Sequence, residues 1–337
     1  MLRKMNAAAA ILIALVSCSA AFAQVQFTFP IPFTKGAAPS VTSIRTGFVI
    51  EVNQSGDDTV FHLGQLSGQK INWGPTRAFP WKMYNARVNM SDVTGAIVLS
   101  YTGAPYGGGC FYRVGLINNH GGLDQDFLWQ TGEEKWGECE HTRDSRLVLD
   151  IFNRVYGVYS DFSQIFYRIG TMQNFRAVWQ NGEPQYIGQG RDVDLAAKEG
   201  HLVELHEEPG PGIIGSRPAK GPASGNLTIW GESVNLPTTG AVRGHATIKY
   251  SQPSGSVVAV YNKTSIGLYT MTGHYSYGRI PSDRPQITWT SGEKEVFAGP
   301  VQHSDVTNTG TTIIEVHESD GQIFNATAPM PPANSVE

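Results

Sequence analysis

GTTIIEVHES, the stretch from Gly310 to Ser319, repeats a phrase that also occurs as GHLVELHEE (Gly200–Glu208) and GFVIEVNQS (Gly47–Ser55). Each copy has a glycine, a run of mainly apolar and β-branched residues, a glutamate, an apolar residue, and then histidine or asparagine. A short polar residue precedes each glycine, and glycine supplies the positive φ that a tight hairpin turn requires. We therefore interpret each copy as a β-strand that follows a hairpin turn.

The same turn recurs along the whole chain. Its six turn residues are spaced 48, 58, 47, 55 and 55 residues apart: Gly47, Gly95, Asn153, Gly200, Gly255 and Gly310. A short strand precedes each turn, and an aromatic-rich strand follows the phrase. A further strand carries a tryptophan in five of the units: Trp73, Trp129, Trp179, Trp230 and Trp289. Four short antiparallel strands in a unit of about 50 residues are typical of a β-propeller blade.

The last unit has no tryptophan strand of its own. The stretch QFTFPIPFTKGAAPS (residues 26–40) matches residues 287–300, with Phe29 in place of the tryptophan. A strand from the N-terminus would complete the last blade and remove both free sheet edges. The sequence therefore predicts an all-β propeller of about six four-stranded blades that occupies residues 24–337.

The first 23 residues resemble a secretory signal. Arg3 and Lys4 precede an apolar run that is too short to span a membrane, and Ala21-Phe22-Ala23 is a small-x-small cleavage site. The protein is then secreted or periplasmic. Alternatively, Leu15-Val16-Ser17-Cys18 acts as a lipobox, and Cys18 carries the lipid anchor of an outer-membrane lipoprotein.

The composition of the exported chain excludes some partners. Removal of Arg3 and Lys4 leaves 23 basic against 29 acidic side chains, which argues against a nucleic-acid partner. Cys110 and Cys139 remain, and in an oxidising compartment two cysteines more often form a disulfide than a metal site. The sequence contains no CxxC or HxxxH spacing, and we expect no metal and no cofactor.

The repeated phrase also contains the candidate site residues. Counted from the turn residue, and one residue later in the last unit, position six is polar or aromatic in every unit: Asn53, Tyr101, Tyr159, His206, Tyr261 and His317. Position four is Glu204 or Glu315 beside the two histidines, on the same strand face. In one interpretation, these side chains satisfy buried backbone groups of the adjacent blade. In the other, they line sites between blades in which sugars stack on an aromatic ring.

Catalysis is disfavoured because it needs one asymmetric constellation, whereas this glutamate recurs in three units and is apolar or glycine in the others. Two features lie outside the repeat. Trp136, in EEKWGECEH, is interpreted as an exposed aromatic in an insertion that the Cys110–Cys139 bridge ties to its blade. Asp124 and Asp126 are too few ligands for a calcium loop, and a solvated turn is favoured.

Several motifs resemble those of the PLL-like bacterial propeller lectins, whose repeats are also attached to some secreted phospholipases. The matching stretches are Ile314-Glu315-Val316-His317, Phe166-Tyr167-Arg168-Ile169-Gly170, Ile287-Thr288-Trp289, and Phe33 to Gly36 with Pro39-Ser40-Val41. The resemblance implies a propeller with sugar sites between or within blades and no catalysis. Those lectins usually have seven regular blades, whereas this chain has six irregular units.

The sequence thus predicts an exported propeller that binds glycans or glycoconjugates without catalysing a reaction. The expected ligand-binding residues are Trp289, Trp230, His206, His317, Glu204 and Glu315. The alternatives are an envelope scaffold that binds another protein and, less favoured, a propeller glycosidase.

Overall fold

The computed structural model describes residues 25–330, except 105–106, 118–121, 140–143, 181, 211, 222–227, 240–241, 251–255, 264–266, 277–283 and 290–292. The predicted signal with Cys18 and the predicted turn at Gly255 lie outside this part. The described residues form 29 β-strands and one 3₁₀ turn, Gly122–Asp124. Nowhere in these ranges does a helix have the length and hydropathy needed to cross a bilayer.

The strands form six antiparallel sheets, which confirms the predicted six-bladed propeller. Blade 1 contains β2 (Ala37–Ser43), β3 (Phe48–Ser55), β4 (Asp58–Ser67), β5 (Lys70–Trp73) and β6 (Arg77–Ala78). Blade 2 contains β7 (Tyr84–Met90), β8 (Ala96–Ala104), β9 (Gly107–Ile117), β10 (Phe127–Trp129) and β11 (Glu134–Gly137). Blade 3 contains β12 (Ser145–Leu149), β13 (Arg154–Asp161), β14 (Gln164–Gln173), β15 (Arg176–Trp179) and β16 (Gln185–Gln189).

The second half of the chain repeats this order. Blade 4 contains β17 (Arg191–Lys198), β18 (His201–Glu207), β19 (Ile214–Lys220), β20 (Ile229–Trp230) and β21 (Val234–Asn235). Blade 5 contains β22 (Val242–Tyr250), β23 (Ser256–Lys263), β24 (Gly267–Ser276), β25 (Gln286–Trp289) and β26 (Lys294–Ala298). Blade 6 contains β27 (Ser304–Asn308), β28 (Thr312–Ser319), β29 (Gln322–Pro329) and the N-terminal β1 (Ile31–Lys35). In blades 1 to 5, the outermost strand is therefore split into two short segments that pair with the same third strand.

The repeated phrase begins at the turn between the first and second strands of each blade. Gly47, Gly95, Asn153, Gly200 and Gly310 have φ between 62° and 93°. These values lie in the left-handed region that glycine, and next best asparagine, adopts at low cost. The predicted turns within the described residues are therefore confirmed, including the asparagine at Asn153.

The N-terminal strand closes the ring as predicted, with a different register. In four blades, the residue after the tryptophan donates its backbone N–H to the third strand, as Gly74 does to Leu63 at 2.7 Å. In blade 6, Thr28 makes this bond to Thr327 at 2.7 Å, so Phe27 occupies the tryptophan position. The prediction that Phe29 replaces the tryptophan is wrong, because Phe29 is 89% exposed.

Side chains join the innermost strands of neighbouring blades. The inner edge of each first strand has backbone N–H groups that its own sheet does not pair, and short polar side chains of the preceding blade accept them. These bonds run from Val41 to Asp305, from Ser43 to Thr307, from Val88 to Ser40, from Met90 to Thr42, from Leu149 to Asn89 and from Ile248 to Asp194, at 2.8–3.1 Å. They satisfy donors that would otherwise be buried without a partner.

A ring of six side chains, four of them charged, lies in the middle of the central channel that the first strands surround. One side chain per blade occupies the equivalent register position: Ser40, Arg87, Arg146, Asp194, Thr247 and Asp305. Arg146 lies 3.3 Å from Asp194 and 3.0 Å from Asp305, and all three are buried. Burial alone raises the pKa of the Asp305 carboxyl, but the Arg146 and Arg87 guanidinium groups outweigh it and hold the pKa below its usual value. Asp305 is therefore an anion that the channel cations stabilise.

The disulfide lies within blade 2. Cys110 on β9 bonds to Cys139, which follows β11, and their Cα atoms are 5.3 Å apart. The pairing agrees with the prediction, but the bridge joins two adjacent strands of one sheet rather than an insertion to a sheet. It therefore fixes the outer segment β11 to the blade.

Removal of the Asp305 carboxylate tests how much the buried ring contributes to the free energy of unfolding. Asp305→Ala removes one of the two carboxylates that pair with Arg146 and leaves two backbone donors without their acceptor, so we expect a loss of about 3–5 kcal/mol in the free energy of unfolding. The control is Asp126→Ala, since Asp126 pairs with Arg77 at a shorter 2.6 Å but is 65% exposed. That change should cost about 0–1 kcal/mol. Urea unfolding measures both, and equal losses would contradict the role of the buried ring.

Candidate functional site

The six side chains at position six are interior groups. Their exposed fractions are 0–3%: Asn53, Tyr101, Tyr159, His206, Tyr261 and His317. The glutamates at position four are buried as completely. The predicted alternation of side chains along the strand is correct, because positions four and six share one face. This face is covered by the neighbouring blade.

In blades 1, 4 and 6, position six pairs with the glutamate at position four of its own strand. His206 Nδ1 lies 2.9 Å from Glu204, and His317 Nδ1 lies 3.1 Å from Glu315. In blade 1, Asn53 donates its amide to Glu51 at 3.0 Å, and His62 on the third strand lies 2.9 Å from the same carboxylate. Each buried carboxylate therefore has a donor beside it.

In blades 2 and 5, the carboxylate comes from the outer strand instead. Tyr101 donates to Glu133 at 2.6 Å, and Tyr261 donates to Glu293 at 2.8 Å. Both glutamates end the motif Trp-x-x-Gly-Glu, which also occurs at residues 179–183 of blade 3. Sequence reasoning missed these partners, although the motif coincides with tyrosine at position six in all three blades.

The hydrogen bonds change the interpretation of the predicted polar residues. The structural interpretation expected position six to satisfy backbone groups of the adjacent blade. Tyr159 does so at the backbone of Glu138 in blade 2, whereas in the other five blades the partners are carboxylates of the same blade. Glu204, His206, Glu315 and His317 are each 0% exposed, so they offer no surface that a sugar could touch in this structure. They act as buried framework.

The repeated tryptophans pack between blades. Trp73 stacks on Phe33 of blade 6 at 4.5 Å, and Trp230 meets Tyr167 of blade 3 edge-on at 5.1 Å. Trp289 of blade 5 donates its indole N–H to Ser216 of blade 4 at 3.1 Å. Trp230 and Trp289 are half-buried, so each presents part of its ring to solvent.

Trp136 does not match its prediction as an exposed aromatic in an insertion. It lies on β11, the second outer segment that blades 1 to 5 share, and only 1% of its surface is exposed. Its ring stacks near Trp179 of blade 3 at 6.0 Å. The error arose because the split outer strand was not recognised as part of the repeat.

Asp124 and Asp126, the acidic residues before β10, both contact Arg77. Asp126 pairs with Arg77 at 2.6 Å, and Arg77 also donates to the backbone carbonyl of Asp124. Within the described ranges, no group of three His, Cys, Asp or Glu side chains could hold a metal ion.

An open groove lies between the outer strands of blades 4 and 5. Its volume is about 340 Å³, and its lining residues are Glu232, Val234, Arg284, Pro285, Gln286 and Ile287. This volume lies at the lower end of the ~300–1,000 Å³ range of small-molecule sites. The exposed polar groups of Glu232, Arg284 and Gln286 surround a floor that includes Pro285 and Ile287. The groove lies in the outer region that also contains Trp230 and Trp289.

Close backbone contact forms the base of this groove. Gly231 follows Trp230, and a Cβ at Gly231 would lie 2.2 Å from the carbonyl oxygen of Pro285. Glycine is therefore needed where the two blades meet. Any larger residue would push the blades apart and change the shape of the groove.

The sequence matches no protein-family model and no curated protein. Among solved structures, the chain is similar to YjhT, with a TM-score of 0.52 and 11% identity over 91% of this chain and 97% of that one. It is also similar to the intramolecular trans-sialidase from Ruminococcus gnavus, solved with oseltamivir carboxylate, with a TM-score of 0.53 and 10% identity over 89% and 94%. NanB, solved with Optactamide, has a TM-score of 0.55 and 10% identity over 90% and 70%. At this identity the likeness shows the propeller fold alone.

His206 should make folding stability depend on pH. Burial lowers the pKa of its imidazole, but the Glu204 and Glu208 carboxylates at 2.9 and 3.1 Å outweigh burial and raise the pKa above 6.5. This stabilisation is complete below the unfolded-state pKa and is lost as pH rises through the folded-state pKa. Between pH 6.5 and 8.5, the wild type should lose more unfolding free energy than His206→Gln does.

The control for this experiment is His201→Gln on the same strand. Burial and Lys220 lower the pKa of His201 to about 4, so its contribution changes below this pH window. Urea unfolding at each pH should give parallel curves for His201→Gln and the wild type, and a shallower curve for His206→Gln. Parallel curves for all three would contradict the ion pair at His206.

Proposed function

We propose that the protein is an exported, non-catalytic carbohydrate-binding propeller that uses the groove between blades 4 and 5. The observation that carries the proposal is the composition of this groove. Exposed carboxylate, guanidinium and amide groups surround an apolar floor in a volume of about 340 Å³. A sugar has the complementary surface, because its hydroxyls form hydrogen bonds while its C–H face requires apolar contact.

Trp289 supports the same site. It ends the strand that contains Gln286 and Ile287, its ring is half-buried, and its indole N–H donates to Ser216 of blade 4. Trp230 packs on Tyr167 of blade 3, on the opposite face of blade 4. Of the six residues expected from sequence, Trp289 remains as a candidate contact, and Arg284, Gln286 and Glu232 replace the others.

Two further considerations support binding without catalysis. The recurring carboxylates Glu204 and Glu315 are buried, so neither can approach a glycosidic bond in this conformation. The resemblance of the strand motifs to the propeller lectins also implies binding alone. A single shallow site would bind weakly, and attachment to a surface or to other copies would strengthen binding by multivalency.

A glycan array tests the proposed function with the chain from residue 24 onward. Specific binding that one free sugar competes away is the expected result. Arg284→Ala and Gln286→Ala should each weaken binding about tenfold, because a hydrogen bond to a charged group or an amide contributes about 1–3 kcal/mol. Arg176→Ala is the matched control, since Arg176 is an exposed arginine on the outer strand of blade 3.

Two results would contradict this proposal. A blank array from folded protein would favour the envelope scaffold, and pull-downs from envelope extracts would then follow. Glycan binding that the groove substitutions leave unchanged would place the sugar site elsewhere on the propeller.

A further inference from the structure

A second cavity lies on the propeller axis, apart from the groove. It occupies one end of the central channel, beside the turns that begin the repeated phrase, and its volume is about 90 Å³. One side chain from the first strand of each blade lines it, two residues after the member of the charged ring: Thr42, Asn89, Val148, Ala196, Lys249 and Thr307. All six blades therefore contribute to one small site.

The contacts between blades decide which groups face this cavity. Thr42 Oγ1 accepts the N–H of Met90, and Asn89 Oδ1 accepts the N–H of Leu149. Each oxygen thus uses one lone pair on the neighbouring blade, and the Thr42 hydroxyl hydrogen and the Asn89 amide hydrogens remain as donors. A cavity whose side chains offer donors favours an occupant that accepts hydrogen bonds.

The lysines that line the cavity also favour an occupant that accepts hydrogen bonds, in particular an anion. Lys249 and Lys198 line the cavity and are half-buried, and no ion pair or hydrogen bond with a described residue engages either amine. The two carboxylates that also line the cavity, Asp92 and Asp150, are already paired. Asp150 lies 2.6 Å from Arg154, and Asp92 accepts the backbone N–H of Arg45 at 3.0 Å.

The two aspartates of the ring below the cavity attract the Lys249 amine, but burial and Arg146 outweigh them. The ring's two arginines balance its two aspartates, and Arg146 Nη2 has no hydrogen-bond partner among the described residues. Burial and the nearby Arg146 lower the pKa of the Lys249 amine to about 8. A bound anion would compensate the charge of Lys249 and lower the free-energy cost of burying that charge.

We propose that the channel cavity binds a small oxyanion, with Lys249 and Lys198 as its cations and Thr42 and Asn89 as hydrogen-bond donors. The volume is several times the ~10–15 Å³ that one water requires. It therefore has room for a group the size of phosphate, sulfate or a carboxylate, and is too small for a sugar. The site is independent of the glycan groove.

Thermal unfolding tests the proposal with phosphate, sulfate and acetate, each against chloride at equal ionic strength. A ligand that binds the folded state raises the melting temperature in proportion to the logarithm of its concentration above Kd. We expect phosphate to stabilise the wild type, and the ranking against acetate separates a tetrahedral oxyanion from a carboxylate. Absence of stabilisation by all three anions would overturn the proposal.

Substitutions locate the response within the molecule. Lys249→Met should weaken phosphate binding about tenfold or more, since it removes a charge-assisted contact. Lys70→Met is the control. Lys70 is an exposed lysine on β5, an outer strand of blade 1, so this change should leave phosphate binding unchanged. If Lys249→Met does not fold, Lys198→Met at the mouth of the cavity provides the same test. A lysine variant that folds and responds to phosphate as the wild type does would overturn the proposal.

Discussion

The innermost strand of every propeller blade has one edge that no strand pairs, and short polar side chains satisfy that edge in this protein. Thr42, Asn89, Asp194 and Asp305 each accept a backbone N–H from the next blade. The junction between blades 3 and 4 uses the Arg146–Asp194 ion pair, and Asn308 donates to Tyr250 between blades 6 and 5. All six junctions are thus joined at the axis, and β1 joins the two ends of the chain at the rim. The closed propeller requires the junctions at the axis as well as the closure by β1, because an unpaired strand edge at the axis or at the rim would leave backbone donors buried without partners.

These same contacts determine the chemistry of the channel. Thr42 Oγ1 and Asn89 Oδ1 each accept a backbone N–H of the next blade, so the donors that the axial side chains present to the cavity are their hydroxyl and amide hydrogens together with the lysine amines. The faces between blades have a different character, because Glu204 and Glu315 are satisfied by histidines within their own strands. The outer strands present polar groups to solvent in the groove that contains Arg284 and Gln286. The proposed anion site and the proposed glycan groove therefore lie at different radii of the propeller.

Much of the fold could be predicted from the sequence, because a repeat fixes turns, strand order and blade number together. The positive φ at Gly200 and Asn153, the closure by β1 and the Cys110–Cys139 pairing were all within reach of local rules. The site was less predictable. Alternation along β18 showed that Glu204 and His206 share a face, but period-two patterning does not state whether a neighbouring blade covers that face. Phe29 and Trp136 failed for a related reason: the outer strand is split into two segments, and the tryptophan repeat alone determines neither the register of the N-terminal segment nor the burial of the second segment.

Amide hydrogen exchange at the innermost strands tests whether side chains, rather than a neighbouring strand, satisfy the axial edge. The wild type and Thr42→Val are compared at the amide of Met90, whose acceptor is Thr42 Oγ1. Valine keeps the shape of the side chain and removes the acceptor. Met90 should exchange slowly in the wild type and much faster in the variant, while Leu149, whose N–H is accepted by Asn89, should stay protected in both. Equal protection of Met90 in the two proteins would mean that Thr42 does not satisfy the axial edge.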